Sequence, residues 1–276
     1  MAIDPNVFNG DAVVLRQESY GPKCWKMVME VPSTAPIAAG QFCHIRVDEE
    51  LSDPLLRRPF SYWDVRPGRS GRVEADILYT VVGRGTEVLG NCKPGDTVGY
   101  LGAVGRGFTI RRDRKAYVFV AGGVGIVPFY LFAKQIRAAG HDARMILCFG
   151  ARNETMLWGI DDFPGVGVEC HAATDDGSRG RKGLVTHEMR SWLEKLPNED
   201  VMVYACGPDR MLEAVIEHVQ KSGHECEVSM ERRMGCALGA CGACVTPVRD
   251  GDDWRYSRIC WEGPTYNACD LVLHPS

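Results

Sequence analysis

Ala116-Tyr-Val-Phe-Val-Ala-Gly-Gly-Val-Gly-Ile-Val-Pro128 begins as an apolar run, turns through Gly122, Gly123 and Gly125, and leads into a helical pattern that stops before Gly140. Tyr117 to Ala121 reads as a buried strand. Pro128 to Ala139 reads as a helix, because proline suits a first turn and glycine the residue past the last. The order then recurs: Arg144 to Phe149 is a strand, and Val201 to Cys206 is a strand leading to a helix with Pro208 near its start, Asp209 in its first turn and Gly223 after its end. Strand, turn and helix alternating from Lys115 to Gly223 predict a doubly wound parallel sheet of nucleotide-binding type. The uncharged run Ala116 to Ala133 also has about the length of a membrane span. The glycines and Pro128 in its middle would interrupt a spanning helix, so no membrane span is expected.

Working outward, Val13 to Ile110 breaks into short alternating segments split by Gly and Pro: Lys26 to Val31, Gln41 to Val47, Arg72 to Val82 and Asp96 to Leu101. Even spacing of short strands predicts an antiparallel barrel. The basic stretch Arg111 to Lys115 marks the boundary. The tail from Cys226 to Ser276 is rich in Cys and Gly and too short for a large core, so it should need a metal or a cross-link. The expected division is 1–112, 113–225 and 226–276.

The 276 residues are 45% apolar and 25% charged, which is ordinary globular composition rather than disorder. A net charge of -4 gives no basic excess, which argues against nucleic acid as a partner. Met1 to Gly10, with Asp4 and Pro5, lacks the basic and apolar regions of a signal peptide, so a cytoplasmic location is expected. Cysteines in that compartment stay reduced. Of the 12, eight are scattered and read as small buried apolar side chains.

The other four form Cys236-Ala-Leu-Gly-Ala-Cys241-Gly-Ala-Cys244 followed by Cys260. This C-x4-C-x2-C…C order is that of four thiolates around a 2Fe-2S cluster. Gly235, Gly239 and Gly242 let the loop wrap closely and aim N–H groups at sulfur. The competing readings are four ordinary thiols and a zinc site, but zinc favours separated pairs over three cysteines in one loop. Cys226 and Cys269 fall outside the spacing and are expected not to be ligands. Leu238 is expected to be an exposed apolar residue of a subunit interface.

Gly122, Gly123 and Gly125 would allow a pyrophosphate to approach a helix N-terminus, although Pro128 stands where the dehydrogenase fingerprint has its third glycine. A glycine turn with no ligand is the alternative. Arg57-Arg58-Pro59-Phe60-Ser61, with Gly83-Arg84-Gly85-Thr86, offers a cation, an aromatic and hydroxyls that could meet a phosphate and a ring system.

In this order the motifs resemble the ferredoxin-NADP reductase superfamily, and within it the iron-sulfur electron-transfer subunits of class 1B dihydroorotate dehydrogenases. Arg58 to Ser61 is similar to the R-x-[YF]-S flavin motif, Gly122 to Pro128 to the G-G-x-G-x-x-P nicotinamide loop, and Cys206-Gly207-Pro208 to the C-G-P motif. The subunit-level likeness rests on Thr174-Asp-Asp-Gly-Ser178, the cysteine loop and Arg258-Ile-Cys260-Trp-Glu-Gly-Pro264. In related subunits of bifurcating transhydrogenases an aspartate is the first cluster ligand, and Cys236 departs from that. The motifs span residues 57 to 264.

The resemblance implies FAD, NAD and a 2Fe-2S cluster as cofactors. Arg58 would meet the FAD pyrophosphate beside Pro59, Phe60 would lie on the isoalloxazine, and Gly85 and Thr86 would close on the phosphates. Ser61, near the flavin N5, and Cys206, beside the nicotinamide with Gly207 and Pro208, are the catalytic candidates. Asp175 and Asp176 would accept from ribose hydroxyls and repel a 2'-phosphate, which favours NADH, unless they are only an Asp-Gly turn. The implied partner is an FMN-containing dihydroorotate dehydrogenase catalytic subunit, in a heterotetramer of two of each. Alternatives are a hydrogenase, sulfite reductase or transhydrogenase subunit, or a non-catalytic iron-sulfur sensor.

Overall fold

Alternation of inward apolar and outward polar side chains builds the first unit. In β1 (Phe8–Gly21), Ala12 and Val14 are fully buried while their neighbours are not, and in β2 (Cys24–Val31) Met27, Met29 and Val31 point to the same interior. These strands join β3 (Phe42–Arg46), β4 (Arg58–Pro67), β5 (Val73–Thr80) and β6 (Thr97–Val104) in a closed antiparallel barrel of order β1-β2-β5-β4-β3-β6. Closure leaves no free sheet edge. Tyr62 and Tyr100 meet across the buried interior, their hydroxyls 2.5 Å apart, so each satisfies the other. A short helix α1 (Arg84–Gly90) lies between β5 and β6. The computed structural model describes residues 7–32, 36–47, 55–197 and 200–273. The signal-peptide reading of Met1 to Gly10 therefore falls largely outside the described residues.

The run Ala116 to Ala133 divides as its glycines require. β7 (Ala116–Gly122) is buried at every position, as a central parallel strand should be, a 3-10 turn spans Gly123–Ile126, and α2 (Val127–Ala138) follows. Among the described residues no helix is long and apolar enough to cross a membrane. The second unit continues through β8 (Arg144–Ala151), β9 (Val168–Thr174), β10 (Arg181–Lys182), α3 (Val185–Leu193), β11 (Val201–Cys206), α4 (Asp209–Ser222) and β12 (Glu225–Ser229). Gly223 ends α4 in the left-handed conformation, φ 77°, and donates back to Val219 O at 2.9 Å.

The tail forms a hairpin, β13 (Val245–Asp250) with β14 (Asp253–Arg258), then α5 (Ile259–Glu262) and β15 (Thr265–Asn267). β15 adds antiparallel to β12, giving a seven-stranded sheet of order β10-β9-β8-β7-β11-β12-β15. The cysteine segment is therefore rooted in the nucleotide-domain sheet. Its core residues Ala237, Cys244, Ile259 and Cys260 pack in one cluster with β11, α4 and β12.

Barrel and sheet are fastened face to face. Trp63 of β4 stacks on Tyr130 of α2, with centroids 4.6 Å apart and planes at 2°, and Phe163 meets both edge-on. Such pairs contribute about 0.5–1.5 kcal/mol each beyond the area they bury. Lys134 of α2 reaches Asp64 of β4 at 2.5 Å.

Candidate functional site

β4 and β11 carry their motifs to opposite walls of one cavity of about 670 Å³. From the barrel come Arg58, Pro59, Phe60, Ser61 and Thr86; from the sheet come Gly122, Gly123, Gly125, Cys206, Gly207 and Pro208. The sheet residues stand at the carboxyl ends of parallel strands, where α/β folds bind their ligands.

On the barrel wall, Phe60 lies edge-to-face on Tyr79 at 5.6 Å, leaving a half-buried aromatic surface toward the cavity. The Ser61 hydroxyl has no hydrogen-bond partner among the described residues. The Arg58 guanidinium lies over Gly85, where a Cβ would stand 2.2 Å from Arg58 Nε and push that side chain aside. The Arg58 guanidinium also donates to Leu56 O. The Thr86 hydroxyl is occupied within its own turn, accepting from Val82 N at 2.9 Å and Gly83 N at 3.2 Å and donating to Gly83 O at 2.8 Å. It therefore shapes the turn.

On the sheet wall the two glycine turns interlock. A Cβ on Gly125 would lie 2.1 Å from Cys206 O, and one on Gly122 would lie 2.8 Å from both Pro208 Cδ and Met211 Sδ. Gly123, at φ 54°, has open space where its side chain would be, so a ligand can reach the backbone there. Burial pushes the Cys206 thiol up to about 12, with Glu231 adding to it, so Cys206 presents a neutral surface. Asp175 and Asp176 follow β9 and are exposed, outside the residues lining this cavity. Asp176 Oδ1 accepts from Ser178 N at 2.9 Å and Ser178 Oγ at 2.7 Å, which holds its carboxyl below the usual range and commits it to the turn. The Asp175 carboxylate has no partner among the described residues.

Several cavity residues carry no sequence signal strong enough to find them. Trp158 lines the cavity and its buried indole N–H has no partner among the described residues. Glu231 is held above the usual carboxylate range by desolvation and by Asp209. Arg152 was within reach of the rule that ligands bind beyond strand ends, since it follows the predicted strand Arg144 to Phe149. Met234 and Pro264 also line the wall.

The cysteine loop arranges its sulfurs as two pairs. Cys241 N donates to Cys236 Sγ at 3.4 Å, and Cys260 N to Cys244 Sγ at 3.5 Å. Leu238 N and Gly239 N donate to Cys236 Sγ and Cys260 Sγ at 3.4 and 3.2 Å. Positive φ at Ala237, Gly239 and Gly242 turns the loop so that N–H groups can face sulfur. Burial would raise the Cys236 thiol, but donation from Leu238 and Cys241 outweighs it and brings the group to about 7; burial and the adjacent Cys244 push Cys260 up to about 12. Among the described residues no three His, Cys, Asp or Glu side chains gather as around one metal ion. Two pairs of thiols cradled by backbone donors fit a two-iron cluster better than a single zinc.

Two sequence expectations need correction here. Leu238 is half-buried and packs on the core, so the exposed lip of the loop is Ala240 to Ala243. Cys269 is exposed rather than a buried apolar filler, because its short 3-10 turn at Ala268–Asp270 turns it outward.

Known proteins resemble this chain over most of its length. Residues 231–272 match the model of the iron-sulfur cluster binding domain of dihydroorotate dehydrogenase B, and residues 119–217 match that of the oxidoreductase NAD-binding domain. The electron transfer subunit of dihydroorotate dehydrogenase B (NAD(+)) from Desulforamulus reducens is 35% identical over 263 residues, covering 95% of this chain and 97% of that one. The chain belongs to this family of electron transfer subunits. The counterpart from Streptococcus mutans is 33% identical, covering 97% of this chain and 99% of its own.

Among solved structures, an NADH-dependent reduced ferredoxin-NADP oxidoreductase, described for flavin-based electron bifurcation, superposes with a TM-score of 0.81 at 26% identity, over 95% of this chain and 89% of that chain. A ferredoxin-NADP+ reductase from Neisseria gonorrhoeae superposes at 0.64 and 18% identity, covering 83% and 95%, which shows the shared fold of barrel and sheet. Membership of the family accounts for the order of the motifs along the chain: the barrel motif, the glycine and Cys206 turns, then the cysteines.

Proposed function

We propose that this chain moves electrons between NAD(H), FAD and a 2Fe-2S cluster, and exchanges them with a cytoplasmic FMN-containing catalytic subunit that oxidises dihydroorotate to orotate, in a heterotetramer of two of each. Residues 1–112 would hold FAD, 113–225 NAD(H) and 226–276 the cluster on Cys236, Cys241, Cys244 and Cys260. One observation carries the reading. Met234 and Pro264 line the cavity between the flavin and nicotinamide motifs, and they are two residues from Cys236 and four from Cys260. Cavity and cluster loop are thus neighbours along the chain, which supports a relay between them.

When bound, FAD accepts a hydride from NADH and can release the two electrons singly, and a 2Fe-2S cluster carries one at a time. Phe60, backed by Tyr79, offers a flat wall for a ring system, and the Ser61 hydroxyl stands ready to donate to a ring nitrogen. Arg58, lying over Gly85, would supply charge for the flavin phosphates. Gly122, Gly123 and Gly125 admit the nicotinamide dinucleotide, and Cys206, Gly207 and Pro208 form the wall its ring would face. Cys206 is suited to that place because a neutral thiol adds no charge beside a hydride in transit. No residue need act as acid or base, since orientation is the protein's contribution.

Asp175, without a partner, is the residue suited to accept from a ribose hydroxyl and to repel a 2'-phosphate. The expected result of anaerobic stopped-flow mixing is that NADH bleaches the flavin absorbance and then develops the signal of a reduced cluster, on the order of tenfold or more faster than NADPH. Asp175→Arg should narrow that gap more than Asp176→Arg. NADPH ahead of NADH would refute the cofactor assignment, and bleaching with no cluster signal would refute the relay.

A further inference from the structure

Arg152 is the first residue beyond β8, and β8 lies in register beside β7, with Gly150 opposite Gly122. Its main chain is pinned to the loop after β9: Asp175 N donates to Ala151 O at 3.1 Å and Asp176 N to Arg152 O at 3.3 Å. The side chain is exposed, lines the same cavity as Gly122, Gly123 and Gly125, and has no hydrogen-bond or ion-pair partner among the described residues. The charged residues lining that cavity are Arg58, Arg152 and Glu231. Arg58 is committed to the barrel side, against Gly85 and Leu56 O. Arg152 is therefore the cation left between the glycine turn and Asp175.

We propose that the Arg152 guanidinium binds the pyrophosphate of the nicotinamide dinucleotide, an inference that rests on the NAD(H) reading above. The glycine turn offers N–H groups and a partial helix charge, whereas a pyrophosphate brings two full negative charges into a cleft that already holds Glu231. A guanidinium meets paired phosphate oxygens with two parallel donors, which an ammonium cannot do. Its place also orders the ligand. Arg152 draws the phosphates toward the glycine turn, so that what reaches Asp175 is the ribose edge of the same molecule and not a phosphate.

The test is calorimetric titration of the FAD- and cluster-loaded chain with ADP-ribose and, separately, adenosine. Arg152→Met should weaken ADP-ribose roughly tenfold or more, the scale of a lost charge-assisted contact, and leave adenosine unchanged. Arg152→Lys should fall between. In steady state the KM for NADH should rise with kcat near that of the unaltered chain. If Arg152→Met binds ADP-ribose as tightly as the unaltered chain, the assignment is overturned while the NAD(H) reading stands. An equal loss for adenosine and ADP-ribose would mark a disturbed loop and would also overturn it. If the unaltered chain binds no ADP-ribose, the NAD(H) reading itself fails.

Discussion

Serine at Cys236, Cys241, Cys244 or Cys260 should each reduce bound iron to near zero, while serine at Cys226 or Cys269 leaves it intact. The reason is geometric as well as chemical. The four sulfurs stand as two pairs, Cys236 with Cys241 and Cys244 with Cys260, each receiving backbone N–H groups that favour the anionic ligand. Serine at any one of them would remove a thiolate from the set proposed to hold the two irons. Cys226 is 1% exposed in the core under α4, so Cys226→Ser buries a hydroxyl and should lower the melting temperature, at a cost of about 1–3 kcal/mol, with no loss of iron. Cys269 is exposed and its replacement should change neither. Iron analysis per chain and the visible spectrum decide between these outcomes. Iron kept in Cys260→Ser, or lost in Cys269→Ser, would reverse the ligand assignment.

The second large effect is expected from a single methyl group. Gly125→Ala would put a carbon 2.1 Å from Cys206 O, 2.5 Å from Cys206 C and 2.7 Å from Gly207 N. All three are main-chain atoms at the end of central strand β11, so no flexible side chain can move aside. The glycine turn and the Cys206 turn must separate, and together they line the cavity proposed to take the nicotinamide. A shift of about 1 Å at a reacting pair can cost on the order of 100-fold in rate. Gly125→Ala should therefore retain its flavin, whose wall is on the barrel, yet reduce it with NADH about 100-fold more slowly. Dithionite should still bleach that flavin fully. An unchanged NADH rate would show that the two turns do not set the cleft.

Much of this site is legible in the sequence because its chemistry is local. Cys236 to Cys244 lie on one loop, Gly122 to Pro128 on one turn, and Arg58 to Ser61 on one strand, so each is a candidate visible in a short stretch of sequence, although only the cysteine spacing is specific by itself and the roles of the other two come from the family resemblance. The sheet from Tyr117 onward is legible for the same reason: an apolar strand, a glycine turn and a capped helix follow one another without interruption.

What is missed depends on pairing between distant segments. β9 shows mixed burial because it lies near the sheet edge beside two-residue β10, so its pattern is not the clean apolar run of β7. That β15 closes the sheet against β12 cannot be read from three residues, Thr265–Asn267, with no periodicity of their own. The stack of Trp63 on Tyr130 joins two units whose sequences give no register between them. Leu238 is expected at an exposed interface because a relay cluster must lie near the surface, yet the loop folds it onto the core beneath. Thr86 reads as a phosphate ligand, but its hydroxyl is spent on Val82 and Gly83, a bond visible only once the turn is built.

In the proposed role this chain is the electron carrier and the organic substrate is handled by the partner subunit. The most direct measurement is dihydroorotate-dependent reduction of NAD by the purified chain, assayed alone and after mixing with the FMN-containing catalytic subunit. The chain alone should pass electrons from NADH to an artificial acceptor and show no dihydroorotate oxidation, and the mixture should couple dihydroorotate oxidation to NADH formation. Dihydroorotate oxidation by the isolated chain, or a mixture that oxidises dihydroorotate without ever reducing NAD, would contradict it.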